Sequence, residues 1–165
     1  METSDMTNTQ TTPATAANPD VAAATAQFLT PVVLGLQALA VNGKQAHWNV
    51  RGANFIAIHE LLDSVVAHAQ AGADQAAERI VALGLPIDAR VGTVAQKTSS
   101  AVPAGFTQWD ALIRNVISDM DTVIADTQAA IDGLDEFDLT SQDIAIGIKE
   151  SLEKDRWFLF AHLAE

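Results

Sequence analysis

Apolar residues return at steps of three and four from Val21 onward. Val21, Phe28, Val32, Leu36, Leu39 and Ala40 make one stripe, as expected of a helix with a single buried face. Pro31 interrupts this stripe; it either kinks the helix or sits in its first turn after Thr30. Gly52 breaks the pattern, and a second helix is expected from about Asn54 to Leu83, with Phe55, Ile58, Leu62, Val65, Val66, Ala69 and Ala73 on its apolar side. Gly84 and then Pro86 end it in the usual way. Residues 85–106 hold Pro86, Gly92, Pro103 and Gly105 and read as a connection with room for one short helix. Thr107 offers an N-cap with Asp110 three residues on. Leu112, Ile113, Val116, Ile117, Met120, Ile124 and Ile131 then predict a third helix, closed by Gly133. A fourth starts near Thr140 or Ser141 and carries Ile144, Ile148, Leu152, Leu159 and Leu163. No stretch alternates as a strand would. The pattern predicts an all-α fold, a four-helix bundle with a long crossover connection between its second and third helices.

The first 19 residues, METSDMTNTQTTPATAANP, contain no Lys, Arg or aromatic residue. Such a segment has too little apolar area to offset its ordering entropy, so residues 1–19 are expected to form a disordered Thr/Ala-rich tail and residues 20–165 one domain. Lys and Arg total 9 against 21 Asp and Glu, a formal net charge of −12. That field repels phosphate backbones and attracts cations, so nucleic acid is disfavoured as a partner and metal ions are favoured. The absence of cysteine excludes disulfides, zinc–thiolate sites and thiol catalysis. No apolar run reaches the roughly 18 residues of a membrane span, and the N-terminus lacks a signal-peptide pattern. A cytoplasmic location with no membrane partner is expected.

The candidate chemistry lies in one stretch. KQAHWNVRGANFIAIHELLD, residues 44–63, gathers His47, His59 and Asp63 in a chain with 4 histidines. Along the second helix His59 and Asp63 are four apart, and so are Asp74 and Glu78. Taking His59 as zero, the other three lie at about 40°, 60° and 100° around the axis. All four leave the helix on one side. Such a stripe is ordinarily a solvated face, yet the same arc carries Leu62, Ala67 and Ala77, so periodicity alone decides nothing.

Length says more. Asp63 and Asp74 are separated by eleven residues, about 16 Å along the axis, whereas metal–ligand bonds are about 2–2.5 Å. One ion cannot bind both pairs of one helix. If the pairs cooperate, a second chain must bring its Asp74 and Glu78 beside the first chain's His59 and Asp63. Two antiparallel copies of the helix about a twofold axis do so and make two identical sites. His47 can reach the same region through the Arg51–Gly52 turn. The mixed imidazole and carboxylate set suits Fe(II), Mn(II) or Zn(II). His68 falls on the far side of the helix and His162 near the chain end; neither is expected to be a ligand.

The run from Lys44 to Asp63, followed by D-x-x-x-E-R at Asp74 to Arg79, resembles the signature of the Dps proteins. These DNA-binding proteins from starved cells are a mini-ferritin branch of the ferritin-like superfamily. The resemblance spans about residues 27–163, and its block from 44 to 79 is highly specific. It implies a ferritin-like bundle with a short helix in the connection, assembled as a hollow homododecamer. It also implies a ferroxidase centre at the twofold interface. There Fe(II) is oxidised, preferentially by hydrogen peroxide over dioxygen, and the iron is stored as ferric mineral in protection against oxidative stress. The five ligand positions fall on His47, His59, Asp63, Asp74 and Glu78, with up to two iron ions per site. His47, His59, Asp63 and Glu78 would bind iron directly, and Asp74 would bind through water or orient a histidine. Beside them, Trp48 either takes up an electron and limits radical release or simply packs. Arg79 is expected in an interface ion pair. Asp126, Asp132, Asp135, Glu136, Asp138 and Asp143 lie where the third helix meets the fourth, a region that in this family borders a threefold channel admitting iron.

The family name overstates one property. Dps members that bind DNA commonly use basic tails, but here the first basic residue is Lys44. Twelve chains of −12 carry about −144 formal charges, which opposes phosphate binding. DNA binding is expected to be weak or absent. Two rival functions remain at this point: a metal-dependent hydrolase of amides or esters, built from the same ligand types, and a purely architectural DNA-compacting shell, which the charge disfavours.

Overall fold

The computed structural model describes residue 13 and residues 15–164. Five helices and two very short strands follow one another: α1 (Pro19–Asn49), β1 (Val50–Arg51), α2 (Phe55–Ala82), α3 (Val91–Lys97), β2 (Thr107–Gln108), α4 (Trp109–Leu134) and α5 (Leu139–Ala161). The four long helices form a bundle in which α1 packs on α2 and α4, and α5 packs on α2 and α4. Helices α2 and α4 are thus diagonal neighbours.

The strand pair explains the crossover. β1, at the α1–α2 turn, pairs in parallel with β2, just before α4, in the register Val50↔Thr107 and Arg51↔Gln108. Helix α4 therefore starts at the end of the bundle where α2 starts. The connection must return the length of the bundle, and α3 packs against α1 on the way. No strand was expected, because two residues are too few to show alternation.

Several boundaries follow from local chemistry. Asn18 caps α1, its side chain accepting from the Asp20 amide at 2.8 Å, and Pro19 takes the first turn, where no amide is needed. The helix thus starts one residue before the expected domain boundary at Asp20. Of the expected tail, residues 1–12 and 14 lie outside the described residues. Pro31 lies within α1. Pro31 is exposed, on the solvent side of the helix. Helix α2 ends in a Schellman motif: Gly84 has φ 90°, its amide bonds the Val81 carbonyl at 2.9 Å, and the Leu85 amide bonds that of Ile80 at 3.3 Å.

The later caps differ from expectation. Thr107 does not cap α4, because its backbone is engaged in β2; the cap position is Gln108, without a side-chain bond. Gly133 does not end α4, which continues to Leu134. Helix α5 begins at Leu139, capped by Asp138 rather than by Thr140 or Ser141.

The core runs along the bundle axis through fully buried Leu29, Leu36, Ile58, Leu62, Ile113, Met120 and Leu152. Burying each side chain of this kind is worth roughly 1.5–3 kcal/mol relative to exposure. One reading of the apolar pattern needs correction. Helix α1 does contain an 18-residue window of mean hydropathy 1.5, long and apolar enough to cross a membrane. In the fold 61% of that window is buried inside the bundle, since α1 touches α2, α3 and α4 and needs an apolar surface on most of its circumference.

Candidate metal centre

The Gly52 turn, with φ 112°, folds α2 back along α1 and sets His47, in the last turn of α1, against His59, in the second turn of α2. A side chain at this position is strained by that φ and would also meet Trp109 within 2.8 Å. The two imidazoles stack with centroids 3.6 Å apart and planes at 23°. Each is tied to the other's backbone: His47 Nδ1–H donates to the His59 carbonyl at 2.8 Å, and His59 Nδ1–H to the His47 carbonyl at 2.9 Å. A carbonyl accepts only, so both rings carry their proton on Nδ1 and leave the Nε2 lone pair free. The reciprocal bonds thus select, on both rings, the tautomer that can bind a metal ion.

Asp63, one turn beyond His59, brings Oδ1 to 3.3 Å from His47 Nδ1. The same oxygen is engaged by Lys44 Nζ, one turn before His47 on α1. This bond from the ammonium, reinforced by the positive field of the histidines when they are protonated, holds the Asp63 carboxyl below its ordinary range. The carboxylate is therefore ionised at neutral pH. His47 is buried at 6% exposure, His59 is half-buried and Asp63 exposed.

The remaining predicted residues lie elsewhere. Asp74 and Glu78 are exposed, eleven and fifteen residues beyond Asp63 on α2. Among the described residues, no three His, Asp or Glu side chains converge as a metal cage within one chain. Trp48 is 66% exposed, pointing out of the bundle. Sequence reasoning gave Lys44 no role, although its spacing of three from His47 already placed both on one helix face.

Arg79, expected in an interface ion pair, is bonded within its own chain. Its Nη2 donates to Asp138 Oδ2 at 2.7 Å and its Nε to Ser141 Oγ at 2.9 Å, within the chain. Asp138, one of the acids expected to border a channel, is thus held in an ion pair within its own chain. Although partial burial works against it, bonds from Arg79 and Ser141 hold its carboxyl below the usual range. Of the other acids, Asp132 accepts from Gln128 and Asp135 from Gln142, Glu136 and Asp143 are exposed, and partial burial raises Asp126.

Relatives carry the same architecture. The ferritin-like domain family matches residues 32–165. A DNA protection during starvation protein of Agrobacterium fabrum is 36% identical over 129 residues, covering 77% of this chain and 80% of that one. The chain belongs to the Dps family. A second Dps relative, the DNA protection during starvation protein of Mycolicibacterium smegmatis, is 35% identical over 128 residues, or 73% of this chain and 66% of its own length. A solved structure of Dps from Microbacterium arborescens in a high iron form superposes with a TM-score of 0.90 at 74% identity. It covers 92% of this chain and 99% of that one. The ferritin-like four-helix bundle with a short helix in its connection is thus the fold of a Dps protein.

Proposed function

We propose that this Dps protein oxidises Fe(II) at sites shared between subunits and stores the ferric product inside a hollow homododecamer, in the cytoplasm. The observation that carries the reading is the half-built site. His47 and His59 hold two Nε2 lone pairs free beside an ionised Asp63, and the acids that would complete the set stand too far along the same helix to reach it. A partner's antiparallel α2 supplies Asp74 and Glu78 in this arrangement, completing one site at each end of the twofold contact.

Iron is the substrate. Imidazole and carboxylate donors suit Fe(II), and the carboxylates stabilise the higher charge of Fe(III), which lowers the cost of losing an electron. With hydrogen peroxide as oxidant, two Fe(II), one peroxide and two waters give two ferric oxyhydroxide units and four protons. The peroxide O–O bond breaks, each iron loses one electron, and the protons leave to solvent. Trp48, exposed next to His47, serves as an electron donor that limits radical escape. Lys44 has a place in this scheme: its ammonium engages an Asp63 oxygen and must yield it to the incoming cation. The acids near the α4–α5 turn, apart from Asp138, concentrate Fe(II) before entry.

The test is anaerobic loading with Fe(II) followed by hydrogen peroxide, with ferric absorbance and particle size read together. Rapid oxidation in a dodecamer-sized particle, lost in His59→Ala with Asp63→Ala, is expected. A shell of that size that oxidises no faster than buffer would refute the function while leaving the fold intact.

A further inference from the structure

Helix α2 holds an apolar side chain in solvent at each end of its metal-binding side. Ile56 is 60% exposed and Val81 55%, the two most exposed large apolar residues of this helix. Taking His59 as zero, they leave the axis at about 60° and 40°, inside the arc that runs from His59 to Glu78. A single exposed apolar residue needs no explanation. These two share a face with exposed Asp63 and Asp74.

Their positions also match under one symmetry. When two antiparallel copies of a helix meet about a twofold axis, the numbers of facing residues have a constant sum. Asp63 facing Asp74 fixes that sum, and His59 facing Glu78 keeps it. Ile56 facing Val81 keeps it too, and so does Phe55 facing Ala82, the first and last residues of α2. One register therefore joins the metal-binding residues, pairs the exposed apolar side chains and overlaps the helices from end to end. A slip of one turn loses the match: Ile56 then faces Ala77, or Val81 faces Glu60. The carboxylates oppose the contact until a cation lies between them, since Asp63 meets Asp74 and like charges repel. Nearest the axis Ala67 faces Gln70, both exposed and uncharged. Bringing Ile56 and Val81 together removes apolar surface from water, an attraction that needs no metal.

We propose that Ile56 packs on the partner's Val81 at both ends of the α2 contact and so sets its register before metal binds, a role that rests on the shared-site reading above and adds what aligns it. Ile56 is three residues from His59 and Val81 three from Glu78, so each apolar pair lies about one turn outside a metal site.

The experiment couples the two positions in the assembled full chain without metal. The chain has no cysteine, so Ile56→Cys with Val81→Cys introduces its only thiols. Within one chain these positions stand about 38 Å apart along the helix, beyond the span of a disulfide. Oxidised glutathione couples thiols by exchange, and a short bismaleimide joins those that approach without disulfide geometry. Covalent dimers with no higher ladder are expected on a denaturing gel, because both positions belong to one twofold contact. Ile56→Cys alone, and Ile56→Cys with Ala77→Cys, are expected to run as monomers. No dimer with either reagent in an assembled particle, or as much dimer from the Ala77→Cys pairing, would overturn the proposal. If the double cysteine variant does not assemble, Ile56→Gln with Val81→Gln decides: loss of the particle on dilution with helical content retained is expected, and an unchanged particle overturns it. Iron oxidation is read separately. Covalent dimers in a protein that oxidises no Fe(II) support the apolar pairing and sink the iron reading, whereas oxidation without coupling sinks the pairing alone.

Discussion

Shells mixed from two defective subunits put the shared site to a numerical test. One parent carries His59→Ala with Asp63→Ala, the other Asp74→Ala with Glu78→Ala. The two altered pairs stand about 16 Å apart along one helix, several times the reach of a metal–ligand bond. Each parent alone places a defect in every twofold site, so each oxidises Fe(II) near the protein-free rate. When the two are mixed in equal amounts and assembled at random, about half of the twofold pairs contain one of each. In such a pair one site receives His59 and Asp63 from one chain and Asp74 and Glu78 from the other, all intact; its mate receives both defects. About one quarter of all sites are then native, and the initial peroxide-dependent rate recovers to about one quarter of the unaltered protein's. The rate is read by ferric absorbance at matched shell concentration, with particle size monitored. A site built within one chain gives no recovery at any mixing ratio. Mixed shells at the parents' rate would refute the shared-site reasoning, and so would an active parent.

Four further outcomes follow from the structure. Asp138→Asn removes the charged partner of Arg79 and weakens the cap of α5, costing about 2 kcal/mol at neutral pH in denaturant titrations. Because the folded-state carboxyl lies below its ordinary range, that contribution is present above the ordinary carboxylate pKa and lost as pH falls through the depressed value, so the variant's stability varies less with pH on the acid side. Lys44→Met frees the Asp63 oxygen that the ammonium engages, so Co(II), read by visible absorption at neutral pH, binds more tightly; an unchanged affinity would rule out the proposed competition with the ammonium. Gly133→Ala drives a methyl to 2.3 Å from the Phe28 ring and is expected to destabilise by about 1–2 kcal/mol, the overpacking exceeding the gain in helix propensity, whereas Gly147→Ala in open space stabilises by up to about 1 kcal/mol; thermal melts separate the two. Plasmid mixed with the metal-free protein at about 0.15 M salt migrates unretarded, because a surface of this charge releases no counterions from phosphate.

The sequence alone determined the helices that repeat an apolar face, because a 3.6-residue period is a local property visible in any window of the chain. It also determined the candidate donors: the four-residue spacing of His59 and Asp63 puts them on one face whatever surrounds the helix, and the helix rise separates them from Asp74 and Glu78. Boundaries were less legible where tertiary contact competes with local preference. Thr107 looked like a cap until pairing with Val50 claimed its backbone, and Asp138 looked like one more acid in a charged turn until Arg79 arrived from a helix 59 residues earlier. Pro31 could not be placed, because whether a helix tolerates it depends on which side faces water. The tautomer of the two site histidines was likewise beyond the sequence, since it is set by carbonyl groups that meet only when α2 folds back on α1. Asp155 is the clearest case: it interrupts the apolar stripe of α5, and only its contact with His68 on the neighbouring helix shows why a charge can remain buried there. Periodicity reports which way a side chain points, whereas its partners depend on distances between segments far apart in the chain, and those exist only after packing.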